Sequence, residues 1–542
     1  MTADTFAALL AARADDDRAS LYYGEQVWSW REHVALSRRY ALWGASAGHV
    51  GVLLDNVPEL VFLVGAAALG GAVVVALNPT RSPVELVRDA RAADVGLVVW
   101  DEPYGEAARA IGADLGVRLV SAEEVRRAGA DPGCPGFGES AGLGRAGPGD
   151  LVMLVFTSGT SSGRPRAVRV TQRKLAVPGL SLARMLGPED VAYCSMPLFH
   201  SGAIMAAYAP AVAAGAGLVL RRRFSASGLL PDVRKYGCTY LHYVGKALSY
   251  VLATPELGDD ADNPLKLAFG NEGSATATRR FGERFGCFVI DAFGSTETAV
   301  SITPDPSGPP GCLGRLPEGV EIRDPVTGER CPPAVLEDGR LVNAGEAVGE
   351  LVNVRGLGLF DGYYNDPEAD AERIREGVYW SGDLAYVDKD GYVFFAGRGT
   401  ERLRVDGENL AVAPIEAVVR EAPGVLEAAV YPVPDSAAGD QVMLALVPAG
   451  REFDVTALGA FLESRQDLGI KAIPRYIRVC REFPLTPSHK VIKRLLARQA
   501  WHATTDPLYL RTATGYRPLT GDDVVEIENE FARHGRRHLL ES

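Results

Sequence analysis

The stretch FTSGTSSGRPRAVRVT (Phe156–Thr171) has the residue types of a phosphate-binding loop: glycines, hydroxyl side chains and arginines. It follows the apolar run Leu151–Val155 and leads into the alternating AVRV, so the pattern predicts a strand, a loop and a second strand. Loops of this composition bind phosphate through backbone N–H groups and hydroxyls. The residues predicted to make these contacts are Thr157, Ser158, Gly159, Thr160, Ser161, Ser162, Gly163 and Arg166.

A second segment, DAFGSTET (Asp291–Thr298), joins an aromatic ring, hydroxyls and carboxylates in quick succession. Phe293 can stack on a purine, Thr296 can donate a hydrogen bond to a phosphate oxygen, and Glu297 can hold Mg²⁺. Mg²⁺ is a hard cation that prefers oxygen ligands and keeps several of its waters. For this short string alone, an ordinary strand-to-loop turn is the alternative interpretation.

Lysine is scarce in this chain, with eight lysines against 48 arginines. A sequence that uses arginine by default keeps lysine where a compact ammonium group is required. Lys490 lies in the loop TPSHK, directly before an amphipathic helix, and is the candidate for such a role. Lys493, three residues further on, is the alternative candidate, and we expect it to be a solvated residue in the first turn of that helix.

The elements that must position these residues form more than one domain, because 542 residues exceed a single ordinary core and indicate two or three domains. Up to about residue 300, strand and helix patterns alternate, which is typical of a doubly wound or multi-sheet α/β domain. Beyond Glu346 the pattern changes to short strands and turns, such as YVDKDGYVFF with its Asp-Gly turn. A compact α+β segment follows from Ala411, and the glycines of FFAGRGTERLR indicate a hinge before it.

Composition and charge exclude several classes of protein. The net charge of −13 and the pI of about 5.3 indicate no basic patch for nucleic acid. Seven scattered cysteines without a CxxC motif indicate reduced thiols in a cytoplasmic protein, and neither a disulfide scaffold nor a zinc site. The start of the chain, MTADTFAALLAARADDD, lacks the basic and apolar regions of a signal peptide.

One apolar run, Leu60–Leu77, reaches the minimum length for crossing a membrane. Gly70 and Gly71 divide it into a small-residue segment and the β-branched AVVVAL. The pattern therefore favours a buried helix followed by a strand of a parallel sheet, and we predict no membrane span.

Six motifs occur in a fixed order along the chain, and the ordered set is far more specific than any one of them. They are TSGTSSGRPRA, PLFH (Pro197–His200), DAFGSTET, YWSGDLAYVDKDGYVFFAGR (Tyr379–Arg398), RVDGENLAVAPIE (Arg404–Glu416) and PLTPSHKVIKRL (Pro484–Leu495). On these motifs nearly the whole chain resembles the acyl-adenylate-forming superfamily of acyl-CoA synthetases, nonribosomal adenylation domains and luciferases. Details such as AFGNEG and RVDGENLA are similar to the fatty-acid-transport-protein and very-long-chain acyl-CoA synthetase branch.

The resemblance implies an α/β fold with a large multi-sheet N-terminal domain, residues 1–397, and a small mobile α+β C-terminal domain, residues 398–542. It also implies two half-reactions: a carboxylate attacks the α-phosphate of ATP to give acyl-AMP, and a thiol, usually of CoA, then displaces AMP. ATP, Mg²⁺ and CoA are the implied cofactors, with Glu297 as the metal ligand. The implied cofactor contacts beyond the phosphate loop are Asn271, Glu272, Gly273, Asp291, Ala292, Phe293, Gly294, Ser295, Asp383, Arg398 and Gly407.

The resemblance assigns catalytic roles to Lys490 and His200 beside Thr296 and Glu297. Lys490 corresponds to a mobile lysine that neutralises charge at the reacting α-phosphate and carboxylate. His200 is implied at the junction of the acyl pocket and the thiol tunnel, although a lone histidine on an apolar segment is usually structural. Asp383 is implied to accept from the ribose hydroxyls, and Arg398 is implied as a second contact, to the ribose or to a phosphate. Gly407 belongs to the segment that lines the tunnel, where only glycine lets the backbone pass so close to a ligand.

Three departures from the family pattern bear on the first half-reaction. Thr400 stands at the hinge position that is normally Asp or Lys, Arg166 stands where Lys is usual, and the phosphate loop has one residue too many. Such a loop aims several N–H groups at once, so an insertion disturbs it more than a side-chain exchange does. Because the β- and γ-phosphates leave as pyrophosphate, we expect any damage in adenylation and none in thioester formation.

The sequence therefore predicts an AMP-forming acyl-CoA ligase (an acid–thiol ligase) whose thioesterification half is intact and whose adenylation half is either functional or weakened. A thioesterification-only enzyme supplied by a separate adenylate-producing enzyme is one alternative. A stand-alone adenylation enzyme that loads a carrier protein is another, and it would share every motif. Luciferase-like oxidation, membrane-coupled uptake and non-enzymatic binding of acyl-AMP or lipid are further alternatives, the last disfavoured because Lys490, Glu297 and Asp383 are all present.

The acid pocket is predicted from two segments, Tyr240–Leu252 and Phe269–Gly273, which are apolar with a few polar atoms. No Asp or Arg stands out as a partner for an amino-acid substrate, and the glycines of these segments are expected to leave room for a long chain or a bulky ring system. The expected partner is a small-molecule carboxylic acid that is apolar and long or bulky. The predicted pocket residues are His242, Tyr243, Val244, Gly245 and Gly270.

Overall fold

The chain forms two compact units, each built from two stretches of sequence. Unit 1 comprises residues 1–301 and 357–377, and unit 2 comprises residues 302–356 and 378–542. The computed structural model describes residues 4–44, 47–70, 72–130, 146–157, 165–245, 247–271, 273, 275–337, 340–398, 402–405, 408–437, 439–450, 452–465, 468–485, 491–502, 504–534 and 536–540.

Up to residue 302, strands and helices alternate as the sequence predicts. The strands are β1 (Ala19–Tyr23), β2 (Gln26–Ser29), β3 (His49–Leu53), β4 (Val73–Ala76), β5 (Leu97–Trp100), β6 (Arg118–Ser121), β7 (Leu151–Thr157), β8 (Arg166–Thr171), β9 (Val191–Cys194), β10 (Gly217–Leu220), β11 (Tyr240–Val244), β12 (Leu267–Asn271), β13 (Phe288–Asp291), β14 (Phe293–Gly294) and β15 (Ser301–Ile302). The helices are α1 (Phe6–Ala11), α2 (Trp30–Gly44), α3 (Pro58–Ala68), α4 (Pro83–Ala92), α5 (Gly105–Leu115), α6 (Ala122–Ala130), α7 (Gln172–Leu182), α8 (Ser201–Ala203), α9 (Ala209–Ala214), α10 (Leu229–Tyr236), α11 (Ala247–Leu252) and α12 (Ala275–Phe285).

The rest of the chain is richer in short strands. These are β16 (Gly314–Arg315), β17 (Val320–Arg323), β18 (Leu336–Glu337), β19 (Arg340–Leu341), β20 (Gly349–Asn353), β21 (Ile374–Arg375), β22 (Val378–Val387), β23 (Tyr392–Arg398), β24 (Arg402–Val405), β25 (Glu408–Ala411), β26 (Val425–Pro434), β27 (Asp440–Pro448), β28 (Tyr476–Val479), β29 (Leu508–Thr512) and β30 (Gly515–Pro518). The helices are α13 (Ala344–Ala347), α14 (Pro367–Arg373), α15 (Val412–Arg420), α16 (Val455–Ser464), α17 (Lys493–Gln499) and α18 (Gly521–Arg533).

Unit 1 contains two mainly parallel sheets, which confirms the predicted multi-sheet α/β class. One has the strand order β6-β5-β3-β4-β7-β8 and the other β13-β12-β11-β9-β10-β1-β2. The inner strands are apolar along their whole length, such as VVVA in β4 and GLVL in β10, because helices cover both faces of a parallel sheet. The two antiparallel exceptions, β8 against β7 and β2 against β1, lie at sheet edges.

The apolar run Leu60–Leu77 forms the predicted helix and strand. Helix α3 is buried along its whole length, and β4 lies inside the sheet between β3 and β7. Across the described part of the chain, no helix has the length and apolar character needed to span a membrane.

The returning segment of unit 1 extends the sheet beyond β8. The amide N–H of Arg169 donates to the carbonyl of Gly362 at 3.2 Å, and that of Tyr364 donates to the carbonyl of Ala167 at 2.8 Å. Tyr363 thus lies opposite Val168 in an antiparallel bridge. Residues 361–364 therefore cover the open edge of β8 and fix where Tyr363 stands.

Unit 2 contains a sheet with the order β16-β23-β22-β20-β17, a second with the order β26-β27-β28-β29-β30, and the hairpin β24–β25. The predicted Asp-Gly turn connects β22 and β23, and the predicted α+β segment is present as α15, β26, β27 and α16. The predicted domain boundary between residues 397 and 398 falls within unit 2 and stays a prediction. The hinge position Thr400 lies outside the described residues.

Candidate active site

Three parallel strands of unit 1 end at a common edge, and their last residues are predicted site residues. The register places Tyr243 of β11 beside Gly270 of β12, and Gly270 beside Asp291 of β13. The Oδ2 atom of Asp291 accepts hydrogen bonds from the backbone N–H of Gly273 at 2.7 Å and from the hydroxyl of Tyr243 at 2.8 Å. Carboxyl ends of parallel strands are where α/β folds bind ligands, so this edge suits a nucleotide site.

The two glycines of this edge do not leave room for the acid, which corrects the expectation from sequence. A side chain at Gly270 would meet the carbonyl oxygen of Tyr243 and lie 2.7 Å from its ring. A side chain at Gly273 would lie 2.5 Å from Oδ2 of Asp291. Protein atoms fill both spaces, so these glycines permit tight packing of the edge. Gly245 instead has a φ of +53°, which explains a glycine directly after β11.

A small cavity, with room for about one water molecule, lies beside β11 and α11, in the segment predicted to form the acid pocket. Its walls include Leu241, His242 and Tyr243 from β11, and Ala247, Leu248 and Val251 from α11. Ser195 and Met196, which follow β9, also line it, together with Phe224 and Leu229. The cavity is therefore mainly apolar, as a binding site for an apolar acid requires.

His242 brings a polar atom to this cavity. Its Nδ1 atom lies 3.2 Å from the carbonyl oxygen of Phe269, which assigns the proton to Nδ1 and leaves Nε2 as an acceptor. Burial lowers the pKa of His242 to about 4, so the ring is neutral. Nε2 of His242 and Oγ of Ser195 are buried and have no hydrogen-bond partner among the described residues.

The segment after PLFH connects this cavity to the predicted phosphate-binding threonine. His200 immediately precedes α8, which begins at Ser201. The hydroxyls of Ser201 and Thr296 lie 2.7 Å apart, and a side chain at Gly202 would meet Nε2 of His242 at 3.2 Å. Ser201 and Gly202 thus connect a wall of the cavity to Thr296.

Glu297 is held at two points, one on its side chain and one on its main chain. The hydroxyl of Tyr363 donates to Oε1 at 2.9 Å, and the ammonium group of Lys174 donates to the backbone carbonyl at 3.0 Å. Burial, together with the carboxylate of Glu297, raises the pKa of Tyr363, so its hydroxyl stays a donor. The next residue, Thr298, has a φ of +55°, a left-handed conformation that is costly for a threonine.

Lys174 projects from the first turn of α7 and is fully buried. Its Nζ lies 5.8 Å from the ring centroid of Phe360. Burial lowers the pKa of Lys174 to about 8, and the nearby carboxylates of Glu297 and Asp361 oppose that shift. Lys174, Tyr363 and Ser201 are not among the residues predicted from the sequence. Lysine scarcity pointed to Lys174 as much as to Lys490, whereas Tyr363 and Ser201 carry no such signal.

The carboxylate of Glu297 is suited to a magnesium ion whose other ligands are mainly phosphate oxygens of the substrate and water. In the residues that the structure describes, no three His, Cys, Asp or Glu side chains converge as a metal cage. Glu297 is only partly buried, and its Oε2 atom is not the one that Tyr363 binds. Mg²⁺ commonly takes one or two carboxylates and completes its shell with substrate phosphates and water, which one carboxylate at this position satisfies.

Arg166, predicted to contact phosphate, makes other contacts in the fold. It begins β8 opposite Thr157, forms an ion pair with Glu372 of α14 and lies over the ring of Tyr363, 5.4 Å from its centroid. Its side chain is 4% exposed. The phosphate-loop residues between Thr157 and Arg166, Ser158 to Gly163, lie outside the described residues, as do Glu272, Gly407 and Lys490.

Asp383 and Lys493 belong to unit 2. Asp383 is buried in β22, and the antiparallel register places it opposite Arg398 of β23. The expectation that Lys493 is a solvated residue is wrong. Its Nζ lies 2.8 Å from Oε1 of Glu416, a buried carboxylate that also accepts from the backbone N–H of Val430.

Comparison with known proteins decides what this arrangement is. The model of the AMP-binding enzyme family matches residues 10–364, and the model of its C-terminal domain matches residues 414–490. The chain belongs to the AMP-binding enzyme family.

Two relatives of this AMP-binding enzyme are similar over almost their whole length. The medium/long-chain-fatty-acid–CoA ligase FadD17 of Mycobacterium tuberculosis is 47% identical over 518 residues, covering 94% of this chain and 99% of the relative. The steroid-22-oyl-CoA synthetase of Rhodococcus jostii is 43% identical over 566 residues, covering 99% of each chain. ATP-bound MatB from Rhodopseudomonas palustris matches with a TM-score of 0.79 at 25% identity, covering 92% of this chain and 98% of MatB.

These findings confirm the predicted family, the fold class and the class of enzyme, an AMP-forming acyl-CoA ligase with ATP, Mg²⁺ and CoA as cofactors. The individual residue roles stay predictions. The remaining predicted site residues lie at or just beyond the ends of these strands. Val244 ends β11, Asn271 ends β12, and Ala292 donates its N–H to the carbonyl of Gly270 at 2.8 Å. Phe293 and Gly294 form β14, which pairs with β15 in a separate two-stranded sheet, and the carbonyl of Ser295 accepts from the N–H of Thr298.

Proposed function

We propose that this AMP-binding enzyme joins an apolar, long or bulky carboxylic acid to CoA through an acyl-AMP intermediate. The observation that carries the proposal is the placement of Ser201 and Gly202 between a small apolar cavity and Thr296. An acid seated in the cavity would direct its carboxylate towards the residues that bind phosphate. A cytoplasmic location and a mobile C-terminal domain of residues 398–542 are part of the proposal.

The chemistry of the cavity supports the class of acid. Among the described residues that line it, the polar side chains are those of Ser195, His242 and Tyr243, and none is charged. The two relatives are named for medium- to long-chain fatty acids and for a steroid acid, which are apolar carboxylates of the kind this lining accepts. The deciding experiment offers a panel of such acids with ATP, Mg²⁺ and CoA, and in parallel their synthetic acyl-adenylates with CoA. Failure to convert any apolar acid or adenylate would contradict the proposal.

The roles of the nucleotide site follow the same proposal. Thr296 and the loop from Thr157 to Arg166 contact the phosphates, Asp383 and Arg398 the ribose, and Phe293 the adenine. Lys490 neutralises charge in the first half-reaction, and Gly407 lines the path of CoA in the second. The contact of Lys493 with Glu416 supports the choice of Lys490, since it gives the second lysine a structural partner. A carrier protein as thiol acceptor is distinguished by testing whether the rate saturates with free CoA.

Filling the cavity should change which acids are accepted. Ala247→Leu adds volume inside an apolar wall, and overpacking of this kind costs about 1–3 kcal/mol. We expect KM for a long-chain or steroid acid to rise by about tenfold or more, while KM for a four-carbon acid stays unchanged. The measurement is a steady-state comparison of the two acids, or of their adenylates.

Ala90→Leu is the matched control, because Ala90 is equally buried in α4 but does not line the cavity. Both variants should lose stability to a similar degree, and only Ala247→Leu should change the ratio of the two KM values. An unchanged ratio in Ala247→Leu would remove this cavity from the acid pocket.

Glu297→Gln should weaken the use of magnesium. The amide keeps the shape of the side chain and its contact with Tyr363 but removes the charge that attracts the cation. We expect the Mg²⁺ concentration for half-maximal pyrophosphate exchange to rise by about tenfold, with thioester formation from acyl-AMP nearly unchanged, since no triphosphate takes part in it. Superimposable Mg²⁺ titrations of variant and parent would exclude Glu297 as the ligand.

A further inference from the structure

Lys174 is a fully buried charged side chain that the roles described so far do not use. We propose that Lys174 is a positioning residue that holds the main chain of Glu297, so that the Glu297 carboxylate faces the magnesium ion of the bound nucleotide. The inference rests on the proposed role of Glu297 as the metal ligand. It extends that role by naming the residue on which the ligand's orientation depends.

The residues at the start of α7 contact both the Tyr363 segment and the Glu297 loop. The hydroxyl of Thr171 donates to Oδ2 of Asp361 at 2.7 Å, and Arg173 forms an ion pair with the same carboxylate. Lys174, the next residue, donates from Nζ to the carbonyl of Glu297 at 3.0 Å. The start of α7 therefore anchors both the segment that carries Tyr363 and the loop that carries Glu297.

The two contacts on Glu297 have different functions. Tyr363 binds one carboxylate oxygen, and its own place is set by pairing with β8. A side-chain contact alone leaves the main chain free to move about the Cα–Cβ bond. Lys174 holds that main chain one residue before Thr298, where the backbone adopts a left-handed conformation that a threonine does not favour. An external hydrogen bond at this point stabilises a turn that would otherwise relax.

Stability alone does not explain a lysine at this site. An ammonium group that is removed from water carries a large desolvation cost, and replacing a buried charge with an apolar side chain of similar volume is often neutral or stabilising. The carboxylates of Asp361 and Glu297 compensate part of that cost here. Glu297 is itself the proposed metal ligand, and Asp361 lies in the segment that carries Tyr363. The position therefore retains a charged donor where an apolar side chain of similar volume would often fold as well.

The test is Lys174→Met, which keeps the length and volume of the side chain but cannot donate a hydrogen bond. Magnesium-dependent binding of α,β-methylene-ATP is measured by calorimetry across a Mg²⁺ titration. Pyrophosphate exchange, CoA transfer to a supplied acyl-AMP, and thermal unfolding are measured on the same samples. We expect the Mg²⁺ requirement for nucleotide binding to rise by about tenfold, CoA transfer to change by less than about threefold, and the unfolding temperature to stay the same or rise.

Lys174→Gln is the conservative variant, because its amide can donate to a carbonyl although it is shorter and uncharged. It should lie between the parent and Lys174→Met in the Mg²⁺ titration, and it carries the test if the methionine variant does not fold. A purely structural lysine would instead give a lower unfolding temperature and equal losses in both half-reactions. An Mg²⁺ titration of Lys174→Met unchanged from the parent would also overturn the inference, and where the methionine variant does not fold, an unchanged titration of Lys174→Gln does so.

Glu297→Gln, measured alongside, separates the positioning role of Lys174 from the metal-ligand role of Glu297. If Glu297→Gln shifts the Mg²⁺ titration and Lys174→Met does not, the positioning role fails while the metal ligand stands. If neither variant shifts it, the proposed role of Glu297 fails first. In the double variant, the two shifts should combine to less than their product, since both act through one carboxylate.

Discussion

Replacing Lys490 with alanine is expected to reduce ATP-dependent synthesis of acyl-AMP by roughly 100- to 1,000-fold and to leave CoA transfer to a supplied acyl-AMP within a few-fold. The ammonium group is proposed to neutralise charge that develops only when the carboxylate attacks the α-phosphate. Thioester formation starts from acyl-AMP, where that step is already complete. Pyrophosphate exchange and thioester formation, measured on the same preparation, report the two steps separately.

Lys493→Ala is the matched control, since it removes the other lysine of the same segment. Its ion pair with the buried Glu416 predicts a loss of stability, with Arg420 left as a neighbouring cation, and no selectivity between the half-reactions. Gly407→Leu is the mirror variant and should impair CoA transfer while acyl-AMP still binds. Equal losses of both half-reactions in Lys490→Ala would refute the division of labour.

Deleting Ser162 is expected to raise ATP-dependent formation of acyl-AMP by about tenfold or more without changing CoA transfer. The deletion restores the loop length that the family pattern has between its two glycines, which are Gly159 and Gly163 here. A displacement of about 1 Å in a preorganised site can cost on the order of 100-fold, so one extra residue is a sufficient cause of weak binding to the β- and γ-phosphates. The measurement is pyrophosphate exchange with the acid that the panel identifies.

The structure determines how this experiment should be designed. Exchanging Arg166 for lysine at the same time would disturb the ion pair with Glu372 and the contact with the ring of Tyr363, so the deletion is made alone. Ser162→Ala keeps the loop length and serves as the control. Rapid pyrophosphate exchange by the unaltered chain, or a folded deletion variant without any gain, would show that the insertion does not limit adenylation. In the opposite case the chain depends on a separate enzyme that supplies the adenylate.

Local patterns predicted most of the elements around the site. The apolar run before the phosphate loop predicted β7, and the alternating residues after the loop predicted β8. The two glycines within Leu60–Leu77 predicted the division into α3 and β4. These predictions succeeded because the order of apolar and polar residues within a short segment indicates whether one or both faces of a strand are buried. The motif order predicted the family, which no single motif could have done.

The residues that the sequence analysis missed are those whose roles depend on distant partners. Lys174 contacts a residue 123 positions away, and Tyr363 contacts one 66 positions away. Tyr363 reaches Glu297 only because residues 361–364 pair with β8, and no local pattern records that pairing. The prediction that these glycines leave room for the acid failed for a related reason. A glycine indicates that something lies close to the backbone, but only the fold shows that Tyr243 occupies the space at Gly270.

The order in which the chain is made gives the divided unit 1 a further consequence. Residues 357–377 emerge from the ribosome only after residues 302–356, which belong to the other unit. At about 5–20 residues per second, the stretch 302–377 takes roughly 4 to 15 s to synthesise. During that interval β8 has an open edge, and Arg166, Thr171 and Glu297 lack the partners that Tyr363, Asp361 and Glu372 later provide. The nascent protein therefore passes through a stage with an unpaired strand edge, and a fragment that ends at Ser301 would stay in it until a peptide spanning 357–377 was added in trans.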